Sequence, residues 1–220
     1  MFVRDRMTTD VITGHPDMSI TDAQDLMLSR KFRYLPIVDD NGILIGLLTK
    51  SSLASALPSD TSNLSRFEIS YVLAKVKVRS VMVEDVITAT PDTPIEIAAR
   101  IMADNLIGCL PILEDNNLVG VITDSHLFIT MVSLLGARSE GIRVTVLQPD
   151  RAGEVARLTT AIAEAGGNLA ISIGYYPPEK PDSWISVYKV QNMSQEKLEE
   201  VIGNLDDTRI LDIRQFQESA

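Results

Sequence analysis

Apolar positions recur along this chain with helical and strand periods in turn, and each change of period marks an element. Ile20, Ala23, Leu26 and Met27 follow helical spacing and predict an amphipathic helix over about 19–31. Ser19 or Thr21 suits its N-cap, and Thr21-x-x-Gln24 fits a capping box. Leu35–Val38 and Ile43–Thr49 are short apolar runs, read as two strands. Between them Asp39-Asp40-Asn41-Gly42 predicts a hairpin turn in which Asn-Gly supplies the positive φ angles. A helix follows from Ser51 to about Leu57, where Pro58 ends it. Residues 58–63 are polar and rich in breakers, hence a loop, and 64–77 are expected to hold a helix around 67–76.

The pattern then restarts at a constant offset of 75 residues. Val78-Arg79, Met82, Asp85-Val86-Ile87-Thr88, Pro91-Asp92, Ile95, Ala98 and Met102 match Val3-Arg4, Met7, Asp10-Val11-Ile12-Thr13, Pro16-Asp17, Ile20, Ala23 and Met27. Leu110-Pro111-Ile112 matches Leu35-Pro36-Ile37. The offset drops by one in the turn, so Gly120 and Thr123 match Gly46 and Thr49, a cheap change in a surface hairpin. In this second copy Thr93 is expected as N-cap, Pro94 at the first helical position and Glu96 as the closing residue of a capping box. A last apolar helix runs from Ser125 to about Leu135 and stops at Gly136. Each copy thus ends a strand in Gly-x-x-Thr beside a helix start, a place suited to a polar, often phosphorylated, small molecule.

A third pattern fills about 140–220. Strands are expected at Ile142–Leu147, Asn168–Tyr175, Trp184–Val190 and Ile210–Arg214, and a long turn over Pro177–Asp182. Val155, Leu158, Ile162 and Ala165 form one helical stripe, and Leu198, Val201, Ile202 and Leu205 another, opened at Met193–Glu196. The resulting order βαββαβ is the ferredoxin-like arrangement, so the chain is α/β, or α+β in detail.

Composition then removes function classes. A net charge of −10 disfavours a nucleic-acid binder. The acidic excess is spread over both parts, as expected of a solvated surface. A single cysteine allows no intrachain disulfide and suits a reduced interior. With no signal-peptide pattern and no apolar run near 18 residues, a cytoplasmic location without membrane contact is expected. Two separated histidines and one cysteine make no metal cluster, and no catalytic triad, P-loop or carboxylate pair is visible, so no catalytic or metal residues are named.

The Val-Ile-Thr segment, the Leu-Pro-Ile strand and the Gly-x-x-Thr end, present twice in register over about 1–137, resemble the CBS domain, and the pair resembles a Bateman module. The expected domains are a CBS pair over 1–137 (repeats 1–57 and 78–137, connector 58–77) and a second domain over 141–220. Asp150-Arg151-x-Gly153, a helix, then Ala165-Gly166-Gly167-Asn168-Leu169 resembles an ACT domain, although the family often has proline at Ala152. The combined architecture resembles the AcuB acetoin-utilisation family.

The resemblance implies a non-enzymatic regulatory protein, requiring no cofactor, with an adenine-containing regulatory ligand such as AMP, ADP, ATP or S-adenosylmethionine. Carried over by motif, the nucleotide positions are Ile12, Thr13, Arg33, Tyr34, Leu35, Pro36, Thr49, Ser51 and Ser52 in the first repeat. In the second they are Ile87, Thr88, Gly108, Cys109, Leu110, Pro111, Thr123, Ser125 and His126. The ACT resemblance implies an amino acid held by Asp150, Arg151, Gly153 and Asn168. Both modules imply a homodimer, and a regulated enzyme as partner.

The family's aspartate three positions after the threonine is replaced by Ser52 and His126. Two readings of Thr49 and Thr123 therefore stay open: ligand contacts, or caps of the following helix. Arg33 and Lys50 face Gly108 and Asp124 at matching places, so a phosphate is expected to prefer the first repeat. The alternative function is a ligand-free dimerisation scaffold that docks a partner enzyme.

Overall fold

Two β-hairpins flanked by helices make up the first of two units, Met1–Phe128; the second is Ile129–Ala220. The computed structural model describes residues 1–56, 75–179 and 182–216. The connector helix expected around 67–76 falls mainly outside the described residues, as does Pro58.

In the first unit a 3-10 turn, Val3–Asp5, precedes α1 (Ile20–Ser29), β1 (Tyr34–Val38), β2 (Leu44–Thr49) and α2 (Lys50–Ala56). The second copy repeats the order: a 3-10 turn at Val78–Ser80, α3 (Ile95–Asp104), β3 (Cys109–Glu114), β4 (Asn117–Thr123) and α4 (Asp124–Leu134), within which the unit boundary falls. Ser19 caps α1, its Oγ accepting from the Asp22 N–H at 3.1 Å. The matching cap of α3 is Pro94, not Thr93. Pro94 offers its carbonyl to the Ala98 N–H at 3.0 Å, while the Thr93 hydroxyl is spent accepting from the Thr90 N–H.

The hairpins turn differently. Asp115 and Asn116 both have positive φ, the two-residue connection that matches strand twist. In the first hairpin only Gly42 does, so the expected Asn-Gly pair of positive φ angles is absent. Instead Asp39 Oδ1 accepts from the N–H groups of Asn41 and Ile43 and holds a longer loop. Val38 pairs with Leu44 and Leu113 with Leu118, which places the one-residue deletion in this turn.

Each leading segment crosses to the other repeat. Val3 is fully buried among Ile95, Ala98, Met102, Leu110, Ile112 and Ile122, and Val78 among Ile20, Ala23, Met27, Leu35, Ile37 and Leu48. The hydrogen bonds mirror one another. Thr8 exchanges two backbone bonds with Val121 on β4, and Leu47 on β2 exchanges two with Val83, all at 2.9 Å. Ion pairs Arg4–Asp92 and Arg79–Asp17 repeat the same symmetry. Gly46 and Gly120 allow the close approach: a Cβ on Gly120 would sit 2.6 Å from Met7 Sδ, and one on Gly46 would strike Met82.

The second unit has β5 (Gly141–Pro149), α5 (Glu154–Glu164), β6 (Asn168–Tyr175), β7 (Ser183–Gln191), α6 (Gln195–Gly203) and β8 (Arg209–Phe216). Its four strands lie in the order β6-β7-β5-β8, all neighbours antiparallel. One sheet face supplies Val144, Val146, Tyr188 and Val190 to a core with Leu158, Ile162, Leu198 and Ile202 from the helices. Lys189 alternates to the opposite face, where its buried ammonium donates to the carbonyls of Gly136 (2.7 Å) and Ser139 (2.5 Å). Tyr175 and Tyr176 are exposed. Among the described residues no helix is long and apolar enough to cross a membrane.

Candidate functional site

Because the leading segments cross over, each cleft of the first unit is built from both repeats. One cavity, about 410 Å³, takes Leu47, Thr49, Lys50 and Ser51 from the end of β2 and the start of α2, and Val83, Asp85, Val86 and Ile87 from the second leading segment. Leu106, Ile107, Gly108 and Cys109 close it, with Arg33 and Tyr34. The other, about 360 Å³, takes Val121, Thr123, Ser125 and His126 with Thr8, Asp10, Val11 and Ile12. It is closed by Arg30, Lys31, Phe32, Arg33, Tyr34, Pro36 and Cys109. Apart from a few edge residues the linings exchange under the repeat offset: Val83 for Thr8, Asp85 for Asp10, Ile87 for Ile12, Cys109 for Tyr34. Volumes of this size accommodate a small ligand.

The expected grouping by repeat is therefore corrected. Ile12 lines the cavity of Thr123, and Ile87 that of Thr49. Leu35 and Leu110 are fully buried core residues, since their side chains alternate away from the clefts into the two hydrophobic clusters. Thr13, Ser52, Thr88 and Pro111 are not among the lining residues of either cavity.

The Thr49 hydroxyl is engaged as a helix cap, and the Thr123 hydroxyl lies 3.2 Å from His126 Nδ1. Thr49 Oγ1 accepts from the Ser52 N–H at 3.0 Å, and Ser52 Oγ accepts from the Thr49 N–H at 3.1 Å, a reciprocal box. In the second copy His126 takes the place of Ser52. Its Nδ1 accepts from the Thr123 N–H at 3.0 Å, so the neutral ring carries its proton on Nε2, 3.4 Å from Thr8 Oγ1. Burial lowers the His126 pKa, against a smaller opposing pull from Asp124. The substituted residues thus complete caps where the family pattern has an aspartate.

Arg33 is exposed but already paired with the second repeat. Its guanidinium forms a two-pronged pair with Asp124 of the second repeat, one prong at 3.2 Å, and donates to Ser125 Oγ at 3.0 Å. It also lies 5.4 Å from the centre of the Tyr34 ring. The bond to Arg33 holds the Asp124 carboxyl below its usual range, and the same bond raises Arg33. A side chain at Gly108 would strike the Tyr34 hydroxyl and come within 2.9 Å of Asp124 Oδ2, so the second-repeat counterpart of Arg33 has no room for a Cβ. Cys109, shared by both cavities, is buried and its pKa is pushed up to about 12.

Arg33 and Lys50 line the Thr49 cavity as expected, but further basic residues stand in the other one. Arg30, Lys31 and Arg33 line the Thr123 cavity against Asp10, while Arg33 and Lys50 line the Thr49 cavity against Asp85. Sequence reasoning missed Arg30 and Lys31. Laying Arg30-Lys31-Phe32-Arg33 over Asn105-Leu106-Ile107-Gly108 at the 75-residue offset would have found them.

In the second unit Gly153 takes a left-handed φ of +93° as N-cap of α5, a conformation that favours glycine. Arg151 donates to Glu154 at 2.5 Å and to Asp207 at 3.4 Å, so its charge is already matched. Asn168 does not join Asp150, Arg151 and Gly153. It pairs with Gln191, whereas Pro149 pairs with Ser183, eight residues along β7 and about 26 Å away at strand rise. The reason is topological: α5 returns the chain across the sheet, so β6 starts at the end where β5 starts.

This chain belongs to the CBS domain family, which matches residues 3–59 and 78–133. CBS domain-containing protein YhcV of Bacillus subtilis is 30% identical over 131 residues, 60% of this chain and 86% of YhcV. Homoserine O-acetyltransferase of Methanococcoides burtonii is 33% identical over 121 residues, but they span only 54% of this chain and 22% of that protein. Among solved structures, the CBS domain pair of protein MJ0100 in complex with 5-methylthioadenosine and S-adenosyl-L-methionine is 27% identical with a TM-score of 0.52, covering 60% of this chain and 97% of that one. A putative acetoin utilization protein (AcuB) from Vibrio cholerae is 30% identical, TM-score 0.53, covering 62% and 93%. CBSX2 in complex with AMP is 27% identical, TM-score 0.51, covering 61% and 98%.

Proposed function

We propose that this chain is a non-catalytic regulatory protein whose CBS pair senses an adenine-containing small molecule. The observation that carries the reading is the pair of matching clefts, each with an apolar flank and a polar strand end. Val86, Ile87 and Ile107 in one, and Val11, Ile12 and Phe32 in the other, suit the faces of a purine. The basic and hydroxyl groups at the rim suit a ribose and its substituent. The ligands in the MJ0100 and CBSX2 structures support the chemical class. Since the clefts are composite, a ligand joins parts of both repeats, and its differential affinity for two arrangements of the pair would drive regulation of a partner enzyme.

The domain boundaries we adopt are 1–137 for the CBS pair and 141–220 for the second module. We take that module as an ACT domain that pairs two chains into a homodimer and holds an amino acid near Asp150, Arg151 and Gly153. Its βαββαβ order and the left-handed Gly153 support the assignment. The separation of Asn168 means that an amino acid spanning both sets would need a second chain. Similarity to AcuB supports a link to acetoin utilisation, and the single cysteine supports a cytoplasmic setting.

A thermal-shift series with AMP, ADP, ATP, S-adenosylmethionine and the common amino acids tests the proposal. An adenine compound should raise the melting temperature with concentration, because it binds the native state alone. No shift at millimolar concentration would defeat sensing. The second reading, a ligand-free scaffold, draws on the engagement of Thr49, Thr123 and Arg33 within the protein, and predicts that null result.

A further inference from the structure

The two clefts share a plan but not a charge. Where α1 runs into β1, the chain reads Arg30-Lys31-Phe32-Arg33; where α3 runs into β3, the same positions read Asn105-Leu106-Ile107-Gly108. The first stretch lines the Thr123 cavity and most of the second lines the Thr49 cavity. Lys31 and Leu106 are exact counterparts in backbone as well, with φ of 59° and 54°. One cleft therefore presents an ammonium where the other presents an exposed leucine, 94% accessible.

We infer that the clefts divide their ligands by charge: the Thr123 cavity takes an adenine ligand bearing a phosphate, and the Thr49 cavity takes an uncharged one. The inference rests on the reading of both clefts as adenine sites. Among the described lining residues Arg30 and Lys31 stand against Asp10, with Arg33 shared with Asp124, a balance that favours an anion in the first. In the second, Leu106 replaces Lys31 and Gly108 replaces Arg33, leaving Leu47, Val83, Val86, Ile87, Leu106 and Ile107 as a mostly apolar wall.

Arg33 gives the arrangement a direction. It lines both clefts and is bound to Asp124 and Ser125. Ser125 belongs to the Thr123 lining, so the guanidinium already lies on that side. A phosphate there competes with the Asp124 carboxylate for the same planar donor, since a guanidinium donates to either oxyanion in a two-pronged fashion. Because one guanidinium cannot serve a phosphate in both clefts, a second phosphate-bearing ligand finds, among the described lining residues, Lys50 against Asp85. An uncharged ligand in the Thr49 cavity has no such competition.

Calorimetric titration of the full chain with AMP and with adenosine tests this, on the wild type, on Arg30→Gln/Lys31→Gln and on Lys50→Gln. All three sites are exposed, and Gln at the positive-φ position is no more strained than Lys. AMP should bind one site per chain, and the double variant should weaken it about five- to tenfold at 0.15 M salt. Adenosine should be unaffected by the double variant and should still bind protein saturated with AMP. Loss of AMP affinity in Lys50→Gln alone, or exclusion of adenosine by AMP, overturns the charge division while leaving the adenine reading intact. Failure of the wild type to bind either probe overturns both.

Discussion

Val3 lies in the first repeat of the sequence and in the core of the second repeat of the structure, so its truncation should loosen residues about a hundred positions away. The side chain is fully buried against Ile95, Ala98, Met102, Leu110, Ile112 and Ile122. Val3→Ala removes two buried methyl groups, worth about 1.6 kcal/mol at roughly 0.8 kcal/mol per buried carbon. The cavity left behind adds about 0.5–1 kcal/mol, since the neighbours relax only in part. A total near 2–2.5 kcal/mol corresponds to about a 30- to 70-fold rise in the opening constant of the affected amides. Hydrogen exchange of the intact chain reads this directly: the β3–β4 amides of Ile112 and Ile122 should speed up more than those of Ile37 and Leu48. Val78→Ala is the mirror experiment and should favour the β1–β2 hairpin, because Val78 packs on the first repeat's core. The reverse pattern, with each variant loosening its own repeat, would refute the crossing of the leading segments and with it the composite clefts.

Two further outcomes concern the second strand end and its neighbour. His126 caps as a neutral ring, and burial lowers its pKa. Its stabilising contribution is therefore complete above the unfolded value, about 6.5, and is lost as the pH falls through the lower folded value. His126→Asn keeps an acceptor without the titration, so its melting temperature should fall less between pH 7 and pH 5 than that of the wild type; parallel curves would sink the assignment. Cys109, buried and with its pKa at about 12, should resist a thiol reagent such as DTNB at pH 8 in the native chain and react fully once unfolded. Rapid reaction of the native protein would contradict the burial.

The elements of both units were legible because each rests on local signals. The helical stripe of Ile20, Ala23 and Met27, and its copy at Ile95, Ala98 and Met102, are the buried faces of α1 and α3. The copy of Gly46 and Thr49 at Gly120 and Thr123 marked both strand ends, and the deletion between the repeats sits in the hairpin turn. The cap at Pro94 was misread because a threonine before a proline satisfies the same pattern as a capping residue. Which oxygen is used depends on where the turn at Thr90 spends the Thr93 hydroxyl.

The clefts were legible only as a set of residue types. Thr49, Thr123, Arg33 and Ile87 were named, but their partners were not. Nothing local tells Arg33 that its carboxylate is Asp124, 91 positions on, or sends Ile12 to the cavity of Thr123. In the second unit the same blindness joined Asn168 to Gly153, which are 15 positions apart in the chain but at opposite ends of the sheet.

By itself, then, the sequence determined the two repeats, their secondary structure, the βαββαβ order and the loss of both family aspartates, since periodicity, turn residues and side-chain identity act within a few residues. Only the tertiary structure decided that the leading segments change places. That exchange is set by long-range burial of Val3 and Val78 and by room left at Gly46 and Gly120. It makes each cleft a product of both repeats, puts Arg30 and Lys31 beside Thr123, and ties Arg33 to Asp124.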